Sequence, residues 1–239
     1  MIAWLHLRHA QSERAAAFTA GLTRLGYDVR AGVPTIFGPK DIFVTWSRIG
    51  PGDFCARRFE QAGQPVICVE NALWGNDFMG KSWLTIAKNY NNKAGCFPVG
   101  GPERWDSLHA ELQPFRQSGE TVILPQRGIG PAGIAMPRGW AEAAANRYKG
   151  RIRPHPGKRP CLELECDLSN CGRVVTWGSG AAIKALMWGI PVISEMPGWV
   201  GYQENTEESR LAMFRNLAWS HWQLEELTSG GPIARLLDL

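Results

Sequence analysis

A chain of 239 residues, 44% apolar and 20% charged, can bury one large core or two compact ones of about 100 residues each, which excludes a disordered polymer. Sixteen prolines and 27 glycines call for many turns yet form no low-complexity tract. The formal charge of +4 suits an anionic ligand and permits nucleic acid without requiring it.

Residues 2–7 read as a first strand, and the polar turn at 8–11 leads to Ser12 as N-cap of a helix that runs to Leu25. Glu13 lies in its first turn and Gly26 stops it. A second strand opens at Tyr27, and residues 41–46 make a stronger one. A helix over 54–62, Gly63, and a strand over 65–70 follow, the rhythm of a parallel α/β sheet. Between 71 and 103 Asn, Gly, Trp and Lys cluster with little periodicity, so this stretch is expected to be a long functional loop.

A second α/β set starts with the strand at 121–125. It continues with a helix over 139–149, a short strand at 151–153, a strand at 173–177, a helix over 179–188 and a strand at 190–195. A last helix is expected from Glu204 to Leu227, carrying Leu211, Phe214, Leu217, Trp222 and Leu224. The domain break falls between Leu112 and Glu120, so domains are expected at 1–116 and 117–203, with 204–239 as a terminal segment. The six cysteines include no CxxC pair, and the spacing of Cys161, Cys166 and Cys171 matches no zinc ribbon or finger; idle thiols and no metal site are expected. With no signal peptide and no apolar run of about 18 residues, neither membrane insertion nor secretion is expected.

The chemistry-bearing residues gather at the ends of these strands. Gly178 and Gly180 allow close backbone approach, and Ser179 can cap the next helix while donating to a phosphate held at its positive end. Lys184, one turn on, can face the same anion, and Trp177 stands beside it. His155 is fixed in an extended loop by Pro154 and Pro156, next to the cation Arg153. Gln126, Arg127 and Gly128 follow a strand directly, where ligands of open α/β sheets bind, and a guanidinium there pairs well with a diphosphate. The loop is neither a Walker A sequence nor GxGxxG, which speaks against a dinucleotide dehydrogenase. Glu70 closes its apolar strand and is placed to take a proton from a hydroxyl, with Asp77 in the next loop as the competing carboxylate. Arg8, His9 and Arg48 also follow first-domain strands, and Trp74 lies in a cleft loop where its ring can stack on a sugar or base; all four are expected on the acceptor side. Each has a plain alternative: cap, surface charge or core aromatic.

The Val69-Glu-Asn71 strand end, Arg-Pro-His-Pro at 153–156, and Gly-Ser-Gly at 178–180 followed by Gly-Ile-Pro-Val at 189–192 resemble two sets of sequences. One is the bacterial capsule Kdo-transferase and sialyltransferase-like enzymes of the GT-B glycosyltransferase architecture. The other is a group of short phage-encoded glycosyltransferase-like proteins, to which Ala-Trp-Ser-His-Trp at 218–222 is also similar. The resemblance implies an α/β fold of two Rossmann-like domains facing a cleft, with a C-terminal helix crossing back to the first domain. It implies donor binding by Arg153, His155, Ser179 and Gly180, and an acidic cleft position for Glu70. The capsule enzymes are much longer and carry Glu-Asp-Gly where this chain has Glu70-Asn71.

The expected activity is metal-independent transfer of a sugar from a nucleotide sugar, foremost a UDP-sugar, to an acceptor hydroxyl, with no further cofactor. The missing Asp-x-Asp motif disfavours the metal-dependent single-domain class. A phage setting and the basic charge favour a hydroxymethylated pyrimidine in DNA as acceptor; the capsule resemblance favours a surface glycan. The cytoplasm is the expected compartment, that of the host if the chain is phage-encoded. A non-catalytic nucleotide-sugar-binding protein and a sugar-nucleotide epimerase are the alternatives.

Overall fold

A computed structural model of the chain describes residues 1–7, 12–156 and 162–238, so Arg8, His9 and Cys161 lie outside the described residues. The elements begin with β1 (Ile2–His6), α1 (Ser12–Arg24), β2 (Asp28–Ala31), β3 (Ile42–Trp46), α2 (Pro51–Gln61), β4 (Val66–Asn71) and β5 (Trp83–Lys88). Next come α3 (Glu103–Asp106), β6 (Glu120–Leu124), α4 (Trp140–Tyr148), β7 (Arg151–Ile152), α5 (Leu164–Asp167), β8 (Cys171–Thr176), α6 (Ala181–Met187) and β9 (Val192–Ser194). The chain closes with α7 (Glu207–Leu217), β10 (His221–Gln223), α8 (Leu224–Thr228) and α9 (Gly231–Leu237). Two compact units result: Met1–Asn91 with Gly95–Val99 and Ala218–Leu239, and Asn92–Ala94 with Gly100–Leu217.

The first unit holds a six-stranded sheet in the order β10-β5-β4-β3-β1-β2. Strands β2, β1, β3 and β4 run parallel, as the strand–helix rhythm predicts. β3 is buried at every position, as a central strand covered on both faces must be. Helix α2 starts at Pro51 with Asp53 in its first turn, and its Cys55, Ala56 and Phe59 pack on Phe43 and Val66. Phe37 stacks on Phe59 at 3.8 Å between ring centroids.

Two expectations bearing on this sheet are corrected. The supposed loop at 71–103 contains β5, which pairs antiparallel with β4, so the sheet is mixed. Trp83, Leu84, Thr85, Ile86 and Ala87 are all buried; a strand covered on both faces carries no alternation, and its Asn- and Gly-rich flanks obscured it. The single helix expected over 204–227 is broken. α7 ends at Leu217, a 3-10 turn spans Ala218–Ser220, and β10 pairs antiparallel with β5 through Trp222 and Leu84. The Gln223 N–H donates to the Glu226 carboxylate at 2.8 Å, so a second helix start lay hidden in the apparent periodicity.

The second unit is built on four parallel strands in the order β7-β6-β8-β9. Ile123 and Val175 pack against Trp140, Ala141 and Ala144 of α4, while Val122 and Val174 point to the opposite face. The edge strand β9 is covered by a side chain: Asn205, at φ 56°, accepts from the Val192 N–H (2.8 Å) and donates to the Val192 carbonyl (3.1 Å). Fully buried Arg210 of α7 donates to the carbonyls of Gln113 (2.8 Å) and Leu186 (3.0 Å) and pairs with Glu207. Cys55, Cys68 and Cys171 are buried free thiols whose pKa burial pushes up. No helix among the described residues is long and apolar enough to cross a membrane.

The terminal segment is seated by a glycine. A Cβ at Gly21 of α1 would lie 2.2 Å from the Leu227 carbonyl oxygen of α8. Gly21→Ala is therefore expected to lower the unfolding free energy by about 1–3 kcal/mol, the usual cost of overpacking, as read by urea denaturation.

Candidate functional site

Parallel strands place all their carboxyl ends on one edge, and in the second unit that edge collects residues remote in sequence. β6 is followed by Gln126, Arg127 and Gly128, β7 by Arg153 and His155, β8 by Trp177, Gly178, Ser179 and Gly180, and β9 by Glu195. From β6 the chain crosses to β7 on one side, then returns to β8 and β9 on the other. The reversal lies between β6 and β8, the position at which open α/β sheets hold ligands.

The two loops flanking that point are tied together. Gln126 Nε2 donates to the Gly178 carbonyl at 2.8 Å, and Thr176 Oγ1 donates to the Leu124 carbonyl at 2.8 Å while accepting the Ser179 N–H at 2.9 Å. Ser179 Oγ accepts from the Ala181 N–H at 3.3 Å, the local bond that opens α6. Gly178 is at φ 88°, and a Cβ there would meet Met196 Sδ at 2.4 Å, so this glycine serves packing as well as the turn. Trp177 Nε1 donates to the Ile134 carbonyl (3.2 Å), placing its ring edge-on to Trp140.

Of the cations, Arg127 is exposed and Lys184 half-buried, and neither forms an ion pair among the described residues. Arg153 differs from the expectation of a bare donor-binding cation. It is buried, lies 2.6 Å from Asp167 Oδ2 and donates to the Leu162 carbonyl at 2.7 Å, so its charge is neutralised inside the fold. His155 is half-buried in the same loop. Glu195 escaped the sequence reading although its place one residue beyond β9 could have flagged it. It accepts from Trp140 Nε1 (2.8 Å), Tyr148 Oη (3.0 Å) and Arg147 (2.6 Å). Burial alone would raise its pKa, but these hydrogen bonds and the Arg147 charge hold it below the ordinary carboxylate range.

The first unit offers the corresponding edge, with its reversal between β1 and β3. His6 ends β1, Ser47 follows β3, and Glu70 is the penultimate residue of β4. Ser47 Oγ donates to Glu70 Oε1 at 2.5 Å. Helix α2 presses its first turn onto this corner because residue 52 is glycine: a Cβ there would lie 2.6 Å from Thr45 Oγ1 and 3.1 Å from the His6 ring. Arg14, in the first turn of α1, lays its guanidinium 4.8 Å from the Trp46 ring centroid. His6, Ser47 and Arg14 were not singled out from sequence; only their strand-end and helix-start positions mark them.

Other acceptor-side expectations meet a different placement. Arg48 is buried and bonded to Asp53 (2.9 Å), to both Glu60 oxygens (2.7 and 3.0 Å) and to the Asn89 carbonyl (3.2 Å), an internal strut. Burial would lower its pKa, and the Glu60 and Asp53 carboxylates more than offset that. Trp74 is 3% exposed, with His221 at 4.0 Å and Trp83 at 5.3 Å between ring centroids, so it packs the core and cannot stack on an external ligand. Asp77 is exposed at the start of the Phe78–Gly80 3-10 turn, and its charge acts on Arg14.

No protein-family model and no protein with a curated description matches this chain. Among solved structures it is similar to KpsC of Thermosulfurimonas dismutans, a β-Kdo 2,4-transferase, with a TM-score of 0.54 and 16% identity over 95% of this chain and 98% of that one. At that identity the likeness is one of fold. Aspartate transcarbamoylase of Trypanosoma cruzi, ligand-free and with phosphate, aligns with TM-scores of 0.26 and 0.27 at 14% identity. These two alignments cover 91% of this chain and 81% and 80% of theirs, and carry no argument.

His6 sets a pH dependence. Burial holds its imidazole below the ordinary value of 6.5, so the unfolded chain takes up the proton first as pH falls. Stability attributable to His6 is complete above that value and declines as pH drops beneath it. Asp41 and Glu195, whose pKa values are lowered, keep their charges through pH 7 to 5. Urea unfolding at pH 7 and pH 5 is expected to lose less stability in His6→Gln than in the wild type.

Proposed function

We propose that the chain is a glycosyltransferase of the two-domain GT-B kind, moving a sugar from a nucleotide sugar, foremost a UDP-sugar, to an acceptor hydroxyl. The observation that supports this reading is that each unit carries groups of the required kind at the carboxyl edge of its own sheet, a carboxylate in the first and an anion-suited set in the second, in a fold similar to that of a transferase. Arg127, Lys184, His155 and the 178–180 turn are the groups offered to the diphosphate, while Gln126 and Thr176 hold that turn in place. Arg153 acts through the fold, by fixing its loop on Asp167.

As the bond between the anomeric carbon and the diphosphate oxygen breaks, negative charge builds on the nucleotide, and fixed cations and dipoles stabilise it without a metal. Glu70 takes the proton of the acceptor hydroxyl as its oxygen bonds to the anomeric carbon. Asp77, exposed one loop on, is the second candidate. The acceptor is read as a saccharide hydroxyl, since the similar fold belongs to an enzyme named for Kdo transfer; a hydroxymethylated pyrimidine in phage DNA is the alternative.

Thermal-shift screening of UDP-, CMP-, GDP- and dTDP-sugars is expected to show one that raises Tm by mass action. With that donor, Glu70→Gln is expected to lose about 10²–10⁴-fold in kcat and to keep the Tm shift. Absence of any Tm shift, or full activity of Glu70→Gln, would overturn the reading. A DNA acceptor would declare itself by binding that weakens steeply with added salt.

A further inference from the structure

Beside the amino end of β9 the second unit carries an open cavity of about 530 Å³, lined by none of the groups assigned to transfer. It lies between the loop that leads into α7 and the exposed face of that helix. The loop is fastened to β9. Buried Gln203 donates to the Val192 carbonyl at 3.4 Å and accepts the Asn205 N–H at 2.5 Å, and Asn205 bonds both backbone groups of Val192. Val192 is the first residue of β9, whereas Glu195 and the anion-suited loops lie past the carboxyl ends of their strands. The volume falls within the range of about 300–1,000 Å³ usual for small-ligand sites.

The walls narrow the ligand. Tyr202 is 70% exposed, and neither its ring nor its hydroxyl has a partner among the described residues. Glu208, Ala212 and Asn216 stand at i, i+4 and i+8 on one face of α7, and the small Ala212 leaves room between the two longer side chains. Buried Met213 supplies an apolar patch. Glu204 and Glu208 form no ion pair, and the Asn216 amide no hydrogen bond, among the described residues. Two uncompensated carboxylates repel an anion, which separates this cavity from the loops suited to a diphosphate. The positive end of α7, at Glu208 and Ser209, stands against a cation. Met213 and Ala212 alone offer little apolar surface to a hydrocarbon. A neutral polyhydroxylated ligand fits what remains. Its hydroxyls can donate to the carboxylates and exchange bonds with the Asn216 amide, while the C–H face of a sugar ring rests on Tyr202.

We propose that this cavity is a saccharide-binding site for a neutral glycan segment, distinct from the groups assigned to transfer. It binds only; no bond is made or broken there. The proposal does not depend on Glu70 or on turnover.

The test applies the full chain to an array of neutral hexose and N-acetylhexosamine oligosaccharides beside sialylated and sulfated ones, with spermidine titrated separately. At least one neutral glycan is expected to bind. Calorimetric titration of that glycan is expected to give a Kd raised about 5- to 10-fold in Tyr202→Ala and in Ala212→Gln, whose longer side chain fills the depression. Both positions are exposed, so both variants are expected to keep the wild-type Tm and the thermal shift given by the nucleotide sugar. Absence of binding to every neutral glycan overturns the proposal. So does binding that either variant leaves unchanged, which would place the glycan elsewhere on the chain. A preference for the anionic glycans or for spermidine, weakened by the same variants, overturns the neutral saccharide as ligand. A wild type that shows no nucleotide-sugar shift and no turnover sinks the transferase reading instead, because glycan binding is measured without either.

Discussion

A parallel strand cannot be followed by its neighbour without a crossover that carries the chain back to the starting edge. In both units this single constraint decides which loop residues share an edge. Residues 126, 155 and 178 in one sheet, and 6, 47 and 70 in the other, share an edge because their strands share a direction. The same constraint sets the turn that follows each strand: the chain must reverse within a few residues to begin a helix. Positive φ at Ser47, Gly50 and Gly178 answers that demand. Helix starts then face the edge with their positive ends, which makes it hospitable to anions.

Much of this framework was legible in the sequence, and the exceptions have physical causes. β3, β4 and β8 were readable because each apolar run is bracketed by turn residues, and β3 and β8 are each followed by a helical period. β5 was not, since burial on both faces erases alternation and its flanks look like loop. The apparent helix over 204–227 joined α7 and α8 because His221 and Trp222 continue a helical stripe while their backbone pairs with β5. Pairing across more than a hundred positions leaves no local signal. At the site, strand-end positions were legible and side-chain commitments were not. Sequence placed Arg48 and Arg153 at strand ends and Trp74 in a cleft loop; only packing revealed that Asp53, Glu60, Asp167 and His221 had claimed them.

That difference follows from depth. Removing a guanidinium from water costs several kcal/mol unless carboxylates and carbonyls replace its hydration. Arg153 directly follows β7 and Arg48 is the second residue beyond β3, so both stems start at the level of the buried sheet and their charges must be met internally. Arg127, the third residue beyond β6, emerges into solvent and keeps its charge available. A cation that anchors the fold and one that can receive a phosphate thus differ by one or two positions along the same kind of loop. Carboxylates are sorted by what reaches them as well as by depth. Glu195 is clamped by an arginine, an indole and a phenol, which depresses its pKa and spends its lone pairs on structure. Glu70 accepts a bond from the neutral Ser47 hydroxyl at 2.5 Å. The burial and pairing of these residues therefore give the two sheets different chemical temperaments, although their topology is alike.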